Sequence, residues 1–114
     1  MTLPKEIKLG CFTIKIKLLD STTSYEIAEQ QGSYVERTNT IYLSEDIFDD
    51  SERAINVVLH ELFHAIYSMY SLMHKDEETV VNSFANGMTE LLLRTDIHQW
   101  INETIKRRKN GKKT

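Results

Sequence analysis

In VLHELFHAI, residues 58–66, two histidines stand four apart and a glutamate follows the first. Residues four apart on a helix lie one turn above each other on the same face, so His60 and His64 can aim one imidazole nitrogen each at a common point. Zinc takes such nitrogens at about 2.0–2.1 Å and prefers four ligands, so the pair is half of a site. Glu61 lies about 100° round the helix from His60, beside the metal rather than on it. A carboxylate there can take a proton from a water whose pKa zinc has lowered toward about 7, which makes Glu61 the candidate general base. A catalytic zinc keeps three protein ligands and one exchangeable position, so the chain must supply another ligand. The competing reading is a metal-free polar cluster. It must find hydrogen-bond partners for three polar side chains inside an otherwise apolar helix, or bear the cost of burying them unpaired. An HExxH spacing arises by chance in roughly one in a hundred chains of this composition.

His74, Asp76, Glu77 and Glu78 are the candidates for the third ligand. A histidine six residues beyond His64 is excluded, because position 70 is Tyr. His74 stands near the expected end of the helix, where it suits a C-terminal cap or the surface. Glu78 fits best: Asn82 lies one turn below it on the same face, with Ala85 below that leaving room for close approach. The Asn82 carbonyl oxygen suits the outer-shell acceptor that fixes a metal-bound imidazole. Glu77, one position round, stays open.

The elements that must hold these residues are legible in outline. CFTIKIKLL, residues 11–19, alternates apolar and polar side chains as a half-buried strand does, with Cys11 expected as a small buried hydrophobe. A polar stretch after it starts a short helix. GSYVERTNTIYL, residues 32–43, reads as a hairpin turning around Arg37, Thr38, Asn39 and Thr40. Ser51 is the expected N-cap of a central helix over 51–73 whose Val57, Val58, Leu59, Leu62, Phe63, Ala65, Ile66 and Met69 cover most of its circumference. That coverage predicts an enclosed helix and a dry setting for His60, Glu61 and His64. Asp76 is the expected cap of a second helix over 76–94, with Val80, Val81, Phe84, Ala85, Met88, Leu91 and Leu92 as its packing stripe. A last helix spans 97–109 and carries Ile97, Trp100, Ile101 and Ile105 on one side.

The chain has 114 residues, 40% hydrophobic and 27% charged, which suits one folded domain and is far from the composition of a disordered chain. We expect a domain over residues 1–105 and a basic, solvated tail over 106–114. Six of the fourteen Lys and Arg fall in that tail, leaving eight against all seventeen Asp and Glu elsewhere, a net charge of −9. So acidic a body makes nucleic acid an unlikely ligand of the domain itself. A single cysteine excludes an intramolecular disulfide, and charges interrupt every apolar run before it reaches membrane-spanning length. A cytoplasmic location without a membrane partner is expected.

HELFHA at 60–65 followed by ETVVNSFA at 78–85 resembles the ImmA/IrrE group of small zinc metallopeptidases and the related short zincins of phages and prophages. TNTIYL before the helix, with Ser51 and Glu52, is similar to their strand-then-active-helix order, so the likeness covers roughly residues 32–93. It implies an α+β, minimal zincin-like domain: a short, mainly antiparallel sheet packed on an active-site helix and a second, ligand-bearing helix. It also implies Zn2+ on His60, His64 and Glu78 with Glu61 as base, the gluzincin arrangement. Many members carry an acid where this chain has Asn82. The implied activity is hydrolysis of a peptide bond in a protein or peptide substrate, such as a repressor or regulator. The strand at Ile41, Tyr42 and Leu43 would border the cleft, and Tyr25, Tyr34 and Tyr67 are the tyrosines open to an oxyanion-donor role. The alternative from another class is a catalytically weak or inactive zinc-binding accessory protein of phage or prophage type that acts by protein–protein interaction. A metal-free interaction module using the basic tail is a third.

Overall fold

Alternation of side chains along the first strands builds one apolar sheet face. The computed structural model describes residues 3–20, 31–70 and 76–112; the polar stretch expected to start a helix lies mostly outside them. Strands β1 (Glu6–Leu9) and β2 (Phe12–Leu19) pair antiparallel, with Ile7 opposite Ile14. Gly10 turns the chain between them at φ +59°, a conformation glycine adopts without strain. Cys11 shares that turn and is exposed, contrary to the buried role expected of it, because a residue at the tip of a hairpin has no second layer above it.

β3 (Gly32–Val35) and β4 (Thr40–Ser44) form the expected hairpin, joined by a 3₁₀ turn over Glu36–Thr38. Asn39 closes the turn in the left-handed region at φ 47°, a place asparagine tolerates when no glycine is present. β4 then lies parallel to β2, which gives a four-stranded mixed sheet in the order β1-β2-β4-β3. Two of its three pairings are antiparallel. Ile7, Leu9, Ile14, Ile16, Ile41 and Leu43 point from this sheet into the core.

Helix α1 spans Ser51–Met69 and is capped by Asp50, whose carboxylate accepts the amide hydrogens of Glu52 and Arg53 at 3.0 and 3.5 Å. Ser51 is therefore the first helical residue and not the cap; Asp50 alone has the extended backbone a cap needs. Asp50→Ala is expected to lower stability by about 0.5–2 kcal/mol in urea unfolding. Ala54, Val58, Leu62, Ala65 and Ile66 form the stripe that α1 buries against the sheet. The helix is not enclosed all round, since Phe63 and Tyr67 remain 37% and 42% exposed.

Asp76 caps α2 (Glu77–Arg94) as expected, its carboxylate accepting from Thr79 at 2.8 Å. The packing stripe is rotated from the expected one. Ser83, Gly87 and Leu91 are buried, whereas Val81 and Leu92 are 53% and 47% exposed. Small size decides this: Gly87 lies so close to α1 that a Cβ there would stand 2.8 Å from Ile66 Cδ1. The helix turns its smallest residues toward its neighbour and leaves larger apolar ones outside. α3 runs over Ile97–Lys112, burying Ile97 and Trp100. It continues past the expected end at 109 to Lys112. The three helices of the described residues and the sheet make a small α+β domain, and none of these helices is long and apolar enough to cross a membrane.

Candidate metal centre

The stripe that α1 buries fixes where its polar residues go. With Val58, Leu62, Ala65 and Ile66 turned to the core, His60 and His64 emerge one above the other on a different face. Their Nε2 atoms are 3.1 Å apart, and the rings meet edge to face at 74° with centroids 4.7 Å apart. Two nitrogens bound to one tetrahedral zinc at about 2.0–2.1 Å stand about 3.3 Å from each other. The imidazoles therefore fit as two ligands of one ion. Both are exposed, so the dry setting expected for the motif applies to Glu61 alone, which is 6% exposed.

Glu61 is covered by the strand in front of it. A Cβ on Gly32 would approach Val57 Cγ1 to 2.8 Å and Glu61 Cγ and Oε2 to 3.2 Å each, so the bare glycine lets β3 lie directly on this part of α1. Burial pushes the Glu61 pKa up from 4.5, and the charges of His60 and His64 and a backbone hydrogen bond from Tyr34 pull it partly back. The folded protein thus holds this proton more tightly than the unfolded chain does. Stability from this group is full below the unfolded value and falls as pH rises through the window up to the raised folded value. Metal-free protein is expected to gain stability from Glu61→Gln at neutral pH. Urea unfolding should show that gain disappear below the unfolded-state pKa, at about pH 4.

His60, Glu61 and His64 open into a cleft of about 670 Å³ whose other walls include Gly32, Tyr34, Glu36, Asn56, Tyr67 and Ser68. The bordering strand is β3 and not the expected Ile41–Leu43 segment, because β4 is enclosed between β2 and β3, and among the described residues β3 is the edge strand on this side of the sheet. Tyr34 is half-buried at the cleft, its hydroxyl donating to Asn39 Oδ1 at 2.6 Å. Burial raises its pKa, a hydrogen bond with Ser68 opposes the rise, and the Glu36 charge adds to it. Tyr67 is exposed and lines the same cleft, and Tyr25 lies outside the described residues. Gly32, Asn56 and Ser68 were not singled out from sequence. Only Gly32 carried a signal, a glycine opening a strand, which marks close backbone approach.

Glu78 is exposed in the first turn of α2, as is Glu77, and Asn82 is exposed below them. Among the described residues no three His, Cys, Asp or Glu side chains converge closely enough to hold a metal ion, so neither acid joins the histidine pair in this arrangement. His74 lies outside those residues. α2 meets the motif helix through Phe84, whose ring stands edge to face with Phe63 at 5.5 Å. Helical rotation puts Glu77 about 20° and Glu78 about 120° round from Phe84, so Glu77 shares the ridge that faces α1. No family model matches the chain, and no curated protein or solved structure matches it.

Proposed function

We propose that this chain is a zinc-dependent peptidase of minimal zincin type. The observation that carries the reading is the convergence of His60 and His64 Nε2 at 3.1 Å beside a buried Glu61, in a cleft bordered by a strand edge. His60 and His64 would hold a zinc ion, whose chemistry when bound would be that of a Lewis acid toward water and a carbonyl. The remaining chemistry belongs to the chain. An extended peptide adds to the edge of β3, which is unpaired among the described residues, and main-chain hydrogen bonds there fix the scissile bond over the histidines. Glu61 takes the proton of the attacking water and passes it to the leaving amide nitrogen. Glu77 or Glu78 would be the third ligand. The resemblance supports a regulator or repressor protein in the cytoplasm as substrate.

A specific observation favours a second reading, since neither acid stands with the histidines. A protein that binds zinc through an incomplete ligand set and cleaves nothing would be an accessory protein acting by contact. Zinc-loaded protein incubated with a mixed peptide library separates the two. Cleavage that stops on chelation and returns with zinc supports the peptidase. Zinc binding without cleavage of any peptide supports the accessory protein.

A further inference from the structure

Charge is segregated on this molecule. Among the described residues, the walls of the histidine cleft contain Glu36 and Glu61 and no Lys or Arg. Away from it, three adjoining depressions meet at Leu3 and Leu18 and at Ser51, and their walls carry six basic residues against two acids. One of the acids, Glu52, is paired with Arg108 at 3.5 Å. This bias appears in a chain whose overall charge is negative. The central depression is a hollow of about 360 Å³ walled by Leu3, Leu18, Phe48, Ala54 and Trp100. Leu18 is 50% exposed at its mouth, and Arg107, hydrogen-bonded to Thr104 Oγ1 at 3.3 Å, stands on its rim. Lys15 and Lys17 stand on the opposite face of β2 from Leu18 and line only the adjoining groove, so the positive rim of the hollow comes from Arg107 and the other exposed basic residues of α3.

We propose that this end of the fold is a docking surface for a protein segment that is acidic and carries aliphatic anchors. An apolar hollow beside the basic end of α3 matches an amphipathic segment, with side chains such as Leu or Ile filling the hollow and Asp or Glu meeting Arg107 and Lys109. Charge complementarity of this kind sets partner choice and speeds encounter. Nucleic acid fits less well, because single strands bind by stacking bases on open aromatic rings. Here Trp100 is 2% exposed and Phe48 is half-buried. The surface also gives the basic end of α3 a role that hydrolysis does not.

The test uses the whole chain and a labelled peptide of about 15 residues bearing Leu at helical i, i+4 and i+7 spacing and Glu elsewhere, read by fluorescence anisotropy. It is expected to bind at least about tenfold more tightly than a control with Ser for Leu, and to weaken by about tenfold in Leu18→Ser and in Arg107→Glu/Lys109→Glu. Circular dichroism should show both variants folded. Equal binding of the two peptides would reduce the effect to charge alone and overturn the proposal. So would tighter binding of a single-stranded oligonucleotide or of anionic vesicles, binding unaffected in folded variants, no binding of the peptide, or a sedimenting dimer that Leu18→Ser dissolves.

Discussion

Glu61→Gln is expected to lower peptide cleavage by about 10²- to 10⁴-fold while leaving zinc content unchanged. The amide keeps the shape of the side chain beneath Gly32 and β3 but cannot accept the proton of the attacking water. It also leaves His60 and His64 untouched, and these hold the metal in the proposed site. Loss of turnover with retained zinc, measured on the same preparation, is the signature of a base that is not a ligand. An undiminished rate in the variant would remove Glu61 from the chemistry. The change should act on kcat rather than on peptide affinity, since the edge of β3 is unaltered.

Gly32→Val is expected to cost about 1–3 kcal/mol and to abolish most cleavage with the histidine pair intact. A single Cβ already falls 2.8 Å from Val57 Cγ1, and both neighbours are part of a helix whose opposite face is locked in the core. β3 must therefore lift away from α1, exposing Glu61 and shifting the edge on which an extended peptide would lie. Gly32→Ala should fall between the two proteins in a urea midpoint series. Equal stability of all three would mean that β3 does not press on Glu61.

The local rules that read well from sequence are those decided within a few residues. Alternation gave β2 its buried Ile14 and Ile16, Asp76 caps α2, and the HELFH spacing brings two imidazole nitrogens together. What escaped depends on packing between distant segments. The parallel pairing of β2 with β4 puts β3 on the edge, and no local pattern distinguishes an edge strand from an interior one when both are short. The face of α2 is shifted toward Ser83 and Gly87, whose value is their lack of bulk, so a search for large apolar residues finds Phe84, Met88 and Leu91 on the packed side but also takes in the exposed Val81 and Leu92. Asp50 displaced Ser51 as cap by a single position, the scale on which two good capping residues in succession compete. The exposure of both histidines has the same origin. An apolar residue on a helix of so small a domain need not be covered, as Phe63 and Tyr67 show.

The most direct measurement is the zinc content of the purified protein by elemental mass spectrometry, alongside His64→Ala, Glu77→Gln and Glu78→Gln. The account predicts about one zinc per chain, lost in His64→Ala and sharply weakened in one of the two glutamate variants, which then identifies the third ligand. Wild-type protein that takes up no zinc when it is added, or holds it equally well without His64, would contradict a metal centre on this helix.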